Sequence, residues 1–454
     1  MSSFIFNSKE RGQAIMLVAI ALVGVIAIIG IMVDGGVYLN EYSRLKRAVD
    51  AGAISAALQL REGYTISELS GIATQFIQLN STEATNLVIE TCDTSPFSQT
   101  DGCKGQGGSP GKKLVRVTAT RLVDFGFLPI IGIENATISA SATGEAASVD
   151  AILVIDSSAS MAFEGGGDPD RGDDPADDPS ACNAHDTCQP FEDIKGVAEN
   201  FVNNLYFPFD RVAVVTFDTD AHPTQPLTSS KQAALSVIGN LNVYSPPACD
   251  TAHGPCRNYD EHNNYIGLEC PLFRSTGDPS SCTSSNIGAG LAMAGNLFAN
   301  PPMREDALWV VILLAGGPAN ASSAEDKHAF PYGYCPSSTW STPPFCRDNS
   351  ASSRHSSGDL EYDADDYARD MADFVTDPIT GQGAVIYTIG LGDLVRNTSG
   401  AGDPDAGELL LKYAAEDAGG VNANHGVYYF APSASDLDEV FRAIAENIAT
   451  RLSR

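Results

Sequence analysis

Ala151-Ile152-Leu153-Val154-Ile155-Asp156-Ser157-Ser158-Ala159-Ser160-Met161 decides the fold. A short, unbroken apolar run is the pattern of a strand covered on both faces, as in a parallel sheet. The turn after it carries a carboxylate and two hydroxyls at alternate positions, Asp156, Ser158 and Ser160. Oxygen donors so spaced at the C-terminal end of a strand suit a hard divalent cation such as Mg²⁺, which takes oxygen ligands and keeps waters.

Outward from this segment the same pattern recurs. Val212 to Phe217, Leu308 to Leu314 and Ala384 to Ile389 are further near-continuous apolar runs, with helical stretches around Ile194 to Leu205, Ile287 to Phe298, Ala364 to Phe374 and Glu408 to Glu416. A last helix is marked by a capping box at Ser435 and Asp438 and by the stripe Leu437, Phe441, Ile444, Ile448 and Leu452. Strand and helix in alternation predict an open α/β sheet with flanking helices.

Towards the N-terminus, Ala14 to Val33 is free of charge. Twenty residues at helical rise cover about 30 Å, the thickness of a bilayer's hydrocarbon core. The competing account is a cleaved signal peptide, whose apolar region is shorter and ends at small residues; here Asp34-Gly35-Gly36 follows and a helical pattern resumes. Lys9 and Arg11 precede the span while Arg44, Lys46 and Arg47 follow it, so charge alone does not orient it. Tyr38, Tyr42, Leu45, Val49, Ala53, Ala56 and Leu60 recur at spacings of three and four and predict an amphipathic stalk, packed on the chain's own next segment or on a neighbouring helix. Gly63 to Gly111 is mixed and holds a stapled loop around Cys92 and Cys103. Leu114 to Thr120 and Ala136 to Thr143 alternate as two strands, joined by the apolar Phe125 to Gly132, a buried connection or a patch facing a membrane or partner.

The ten cysteines, Cys92, Cys103, Cys182, Cys188, Cys249, Cys256, Cys270, Cys282, Cys335 and Cys346, all lie beyond the apolar run as close sequential neighbours, with no C-x-x-C. That usage favours disulfides and an oxidising exterior over zinc. If neighbours pair, the bridges are 92 to 103, 182 to 188, 249 to 256, 270 to 282 and 335 to 346, each worth about 2–3 kcal/mol; the connectivity stays open. A formal charge of -30 argues against nucleic acid and anionic lipid as partners and suits cations or basic proteins.

The D-x-S-x-S loop resembles that of the von Willebrand factor A family, over roughly Ser148 to Leu452. In that family the loop is the first part of a metal-ion-dependent adhesion site, whose cation completes its shell with a carboxylate from the partner. Ser285-Asn286-Ile287-Gly288-Ala289-Gly290-Leu291 is similar to the second metal loop, with Ser285 where a threonine is usual. After Val310 to Leu314 the family reads threonine, aspartate, glycine; this chain reads Ala315-Gly316-Gly317, so Gly316 stands where the third-loop aspartate would be. The resemblance implies metal ligands Asp156, Ser158, Ser160 and Ser285. One carboxylate in place of two lowers the attraction for a dication, so two readings stay open: Mg²⁺ retained, or a metal-free site whose groups bond among themselves.

Segments of about 162–190, 244–284 and 318–359 lengthen the domain, adjoin the three metal loops and hold eight of the ten cysteines. Loops from one sheet edge predict a stapled crown over the partner site, with Tyr244, Tyr259, Tyr265, Phe273, Phe330, Tyr332, Tyr334, Trp340 and Phe345 as contact residues; the alternative is a stabilising cap. Asp168, Asp170, Asp173, Asp174, Asp177 and Asp178 are a solvated acidic loop or a Ca²⁺ site, and Arg171-Gly172-Asp173 carries little weight.

At the N-terminus, Arg11-Gly12-Gln13-Ala14, Val33-Asp34-Gly35-Gly36 and Leu45 to Ala53 resemble the module of TadE/TadG-like proteins, which accompany the Flp (Tad) pilus assembly system of bacteria. Together the resemblances imply residues 1–13 in the cytoplasm, 14–33 as a transmembrane helix, 34–147 as stalk helix and small strand-containing module, and 148–454 as the A domain. They imply a TadG-like, single-pass envelope protein with its C-terminal part outside the cytoplasm, binding pilus-assembly, envelope or extracellular protein partners. A free-standing adhesin or matrix-binding protein unrelated to a pilus is the alternative. The chain has no H-E-x-x-H and no phosphate-binding glycine loop, and its one G-x-S-x-G match, Gly107 to Gly111, sits in a polar, Gly-rich segment with no apolar strand run before it, so no enzyme is expected.

Overall fold

The computed structural model describes residues 11–60, 63–105, 111–162, 177–249, 256–269, 285–300, 303–322, 354–356, 362, 364–396 and 406–452. The chain divides into two compact units, Met1–Ala146 and Ala147–Arg454.

The first unit is built on α1 (Arg11–Leu58), one unbroken helix of 48 residues that runs through Gly35 and Gly36. Its apolar part is long and apolar enough to cross a membrane by length and composition, and its side chains from Ile15 to Ile29 are exposed. Further along, Leu45, Ala48, Val49, Ala53, Ala56 and Ala57 are buried. They pack against the chain's own α2 (Ile66–Asn80), through Leu69, Ala73 and Ile77, and against a three-stranded antiparallel sheet of order β1-β2-β3. These strands are β1 (Thr85–Thr91), β2 (Lys113–Asp124) and β3 (Asn135–Ala146); the single turn α3 (Asp101–Lys104) lies between the first two. The expected stripe is thus buried only from Leu45 onward. Tyr42 is exposed and Tyr38 half-buried, while Asp34 and Glu41 on the same stretch of helix meet the β2–β3 hairpin. Within the segment read as mixed, α2 and β1 are ordered elements. Thr65 and Glu68 form a reciprocal capping box at the start of α2. Cys92 is bonded to Cys103.

Asp34 on α1 is buried and accepts three backbone N–H bonds, from Gly126 at 2.9 Å, Phe127 at 2.9 Å and Leu128 at 2.7 Å. Burial acts to raise its carboxyl, but the three donors prevail and hold it below the usual carboxylate range.

The second unit carries a six-stranded sheet of order β11-β10-β9-β4-β5-β6. Its strands are β4 (Val149–Asp156), β5 (Arg211–Phe217), β6 (Ala221–Thr228), β9 (Leu308–Ala315), β10 (Val385–Leu391) and β11 (Tyr428–Ala431); a separate hairpin pairs β7 (Cys256–Tyr259) with β8 (Tyr265–Glu269). All neighbours in the six-stranded sheet pair in parallel except β6, which runs antiparallel on β5. Alternation within the apolar runs divides them between two cores. Ala151, Leu153, Ile155, Val212, Val214, Ile312 and Leu314 face α5 (Phe191–Asn204), α6 (Lys231–Gly239) and α10 (Leu437–Leu452). Ile152, Val154, Val215, Phe217, Val311 and Leu313 face α7 (Ile287–Ala299), α8 (Ala364–Thr376) and α9 (Ala406–Lys412). Helices on both faces leave no side of these strands polar, which is why the sequence shows continuous runs.

Two expectations shift. The capping box before α10 is Ser433 with Asp436, two residues earlier than expected, because a 3₁₀ turn at Ala434–Asp436 leads into the helix; Asp438 instead accepts a bond from Asn200. Edge strand β6, which the sequence analysis did not expect, contains Pro223 and Pro226, residues tolerated at a sheet edge where no ladder donor is needed.

Near the start of β4, fully buried Asp150 holds two guanidiniums. Arg211 Nε donates at 2.9 Å and its Nη2 at 2.5 Å, and Arg304 bonds the same carboxylate. Asp150→Ala is therefore expected to cost about 3–5 kcal/mol in chemical denaturation of the purified chain, since it leaves two buried cations without their anion. For the first unit, Asp34→Ala should speed hydrogen exchange at Gly126, Phe127 and Leu128. Acidification should lower the protection of these amides relative to their intrinsic exchange rates in the wild type: a depressed carboxyl stabilises above its ordinary pKa, and that contribution is lost as pH falls through the folded value.

Candidate functional site at the carboxyl edge of the sheet

Strand order reverses at β4: the chain proceeds from β4 to β5 and β6 on one side, then to β9, β10 and β11 on the other. The carboxyl ends of β4 and β9 are thus the switch point at which open α/β sheets leave a crevice. Asp156 closes β4 there, and its Oδ2 accepts a bond from Gly316 N, just beyond β9, at 3.1 Å. Its Oδ1 accepts from Ser158 N at 3.0 Å. Ser158 Oγ and Ser160 Oγ lie 3.0 Å apart. Burial raises the Asp156 carboxyl above the ordinary range against these donors, and the neighbouring charge of Asp218 adds to the rise.

Asp218 is the residue the sequence analysis missed. It follows Phe217, the register partner of Asp156, and is buried. Its side chain accepts from Asp220 N at 3.0 Å and Thr219 Oγ1 at 3.3 Å, and lies 3.3 Å from His222 Nε2. The signal was an acidic residue directly after the second sheet strand. Ser285 is brought to the same edge by its backbone: its N–H donates to Asn320 Oδ1 at 2.8 Å and its carbonyl accepts from Asn320 N at 3.0 Å. Asn286 N bonds the Asp218 carbonyl at 2.8 Å, and the Asn286 side chain caps α7. All four expected ligand residues therefore belong to loops at one edge.

Half of this donor set suits a hard cation. A 3.0 Å separation of two hydroxyls is a hydrogen bond and also the edge of an octahedron with bonds of about 2.1 Å. The other half does not fit. A Cβ built on Gly316 would lie 2.7 Å from Met161 Sδ and 3.9 Å from Asp156 Oδ2, so the Met161 thioether fills the space from which a third-loop carboxylate would reach the site. A thioether is a soft ligand, poorly matched to Mg²⁺. Among the described residues no group of three or more His, Cys, Asp and Glu side chains is placed to hold a metal.

The described parts of the first two insertions are joined. Asp178 caps α4 (Pro179–His185) and accepts from Tyr259 Oη at 2.9 Å, and Arg257 Nη1 bonds Ser180 Oγ at 2.5 Å and Tyr259 Oη at 2.6 Å. Asp178 is thus a structural cap and not part of a solvated acidic loop; Ser180 and Arg257 hold its carboxyl low although burial opposes them. Cys182 is bonded to Cys188, and Cys249 to Cys256. Tyr265 is buried and Tyr259 half-buried, so these two rings pack the insertion and do not present contact faces. Tyr244 N donates to the Ser157 carbonyl at 2.7 Å, which ties the second insertion to the D-x-S-x-S loop. Asp168 to Asp174, Phe273, Phe330, Tyr332, Tyr334, Trp340, Phe345, Cys270, Cys282, Cys335 and Cys346 lie outside the described residues.

The model of the von Willebrand factor type A domain matches residues 151–254, and the second unit has that Rossmann-like fold. No curated protein matches the chain. Among solved structures, the vWF domain of a type V pilus tip protein from Porphyromonas gingivalis is similar at 16% identity, covering 68% of this chain and 97% of that one, with a TM-score of 0.38. The PilB minor pilin of Streptococcus sanguinis is similar at 14%, covering 81% and 78%, TM-score 0.37. A proximal thread matrix protein of the mussel byssus is similar at 13%, TM-score 0.33; 67% of this chain is covered, and the match spans about half, 49%, of that protein. Likeness at this level assigns no function.

The Met161–Gly316 contact generates a test by calorimetric titration. Gly316→Asp alone is expected to lose about 1–3 kcal/mol of stability through overpacking. Met161→Ala combined with Gly316→Asp should relieve the clash and bind Mg²⁺ more tightly than the wild type.

Proposed function

We propose that this chain is a non-enzymatic, membrane-anchored envelope protein of the TadG-like, Flp/Tad pilus-associated kind that binds protein partners at the carboxyl edge of its A domain. The observation that carries the reading is the D-x-S-x-S loop at the sheet's switch point, tied through Ser157 and Tyr244 to a disulfide-bearing insertion. Support for the anchor comes from the apolar first part of α1 and its unbroken continuation into a packed stalk. The cystine pairs support placing the C-terminal unit outside the cytoplasm.

On this reading partner binding does not depend on a bridging cation, because Gly316 and Met161 replace the carboxylate that the family's site would use. A net charge of -30 then selects partners with basic surfaces. Deletion of the gene is expected to reduce surface pili or adhesion, and partner capture by the purified chain should survive EDTA. Unchanged pili and adhesion would count against the proposal. Capture of an extracellular ligand with no pilus component would favour the free-standing adhesin.

A further inference from the structure

The loop between β2 and β3, Phe125-Gly126-Phe127-Leu128-Pro129-Ile130-Ile131-Gly132-Ile133, has no charged residue and is bracketed by Asp124 and Glu134. Its apolar side chains are turned outward: Ile130 is 81% exposed and Ile131 66% exposed, with Phe127 and Ile133 also exposed. The loop lies against the apolar run of α1. A Cβ on Gly30 would stand 2.8 Å from Phe127 Cβ, and Gly30 is buried where its helical neighbours up to Ile29 are exposed. Gly30 precedes Asp34 by four residues, about 6 Å along the helix towards the middle of the apolar run.

Most of the N–H donors of this loop have internal partners. Phe125 N donates to the Glu134 carbonyl, and Gly126, Phe127 and Leu128 donate to the Asp34 carboxylate. Ile130 N donates to the Phe127 carbonyl, Gly132 N to that of Pro129 and Ile133 N to that of Leu128; Pro129 has no N–H. An irregular loop that enters a medium without water must satisfy its backbone groups internally. Surface loops in water need no such arrangement, and they rarely expose adjacent isoleucines beside an apolar helix.

We propose that this loop is a second membrane contact, a wedge that enters the outer interfacial layer of the bilayer beside α1. Phe127 is braced on Gly30, while Ile130, Ile131 and Ile133 are in contact with acyl chains. Asp124 and Glu134 limit the depth, and the two attachments fix the rotation and tilt of the stalk more firmly than one helix can. The inference rests on α1 being a membrane span, and it adds a residue-level site to that reading.

The test uses the full chain in phosphatidylcholine–phosphatidylglycerol vesicles that carry bromine near the headgroup end or near the terminus of the acyl chains. Ile131→Trp, Ile130→Trp and Leu22→Trp are compared with the wild type, whose Trp309 and Trp340 supply the background. The added tryptophans at 130 and 131 should lose about half of their fluorescence to shallow bromines, as expected for side chains roughly 5–10 Å into the boundary. Leu22→Trp should respond to deep bromines. Quenching at 22 with none at 130 or 131 would overturn the wedge and leave the anchor standing. No quenching at any of the three would remove the anchor, and the wedge with it.

Discussion

Every residue of β4, from Val149 to Asp156, is buried. That constraint shapes the second unit, because a strand with no exposed face has to be central and has to receive helices on both sides. It also places two carboxylates, Asp150 and Asp156, in the interior near opposite ends of one strand. They are satisfied differently. Asp150 faces two guanidiniums and is neutralised by charge. Asp156 is buried with only N–H and hydroxyl donors to offset its charge and a like charge nearby, so burial holds its proton more tightly than usual. The first end is a structural clamp; the second is the end at which the chain leaves its loops and insertions.

The first unit solves a related problem with the same device. Asp34 is a buried acid on a helix, and three successive amides of the β2–β3 loop converge on it. The bonds link residues more than ninety positions apart, so they pin the tip of the hairpin to the helix at the point where the apolar run ends. Arg121 on β2 adds an ion pair to Glu41, at 2.6 Å, further along α1. Polar attachments at two levels bracket the helix where it runs unbroken through Gly35 and Gly36, residues of weak helix propensity.

Most of the sheet was legible from the chain because its strands are buried on both faces, and four apolar runs map onto β4, β5, β9 and β10. What stayed hidden lies at edges. β6 carries two prolines, β11 has four residues and β1 is exposed over much of its length, so none shows a run or a clean alternation. The capping box of α2 was written in Thr65 and Glu68 but sat in a segment read as mixed. At the candidate site Asp156, Ser158 and Ser160 could be named from spacing, and Ser285 from the family resemblance. Asp218 and Met161 could not, because their roles depend on strand register and on a contact between residues 155 positions apart, 161 and 316.

That contact alters the physical meaning of the glycine at 316. From the sequence alone, a missing carboxylate reads as a weaker attraction for a dication, with Mg²⁺ retained or the site's groups bonded among themselves. The Met161 thioether occupies the space instead, and the Gly316 N–H turns to the Asp156 carboxylate that a cation would otherwise help to neutralise. In this chain the absent carboxylate and the methionine that fills its space go together, and a peptide N–H faces the Asp156 carboxylate. A peptide dipole offsets only part of a buried negative charge, and the raised Asp156 carboxyl is the consequence. On the proposed cation-independent reading this edge offers no cation to an acidic partner, and the net negative charge of the chain favours basic proteins.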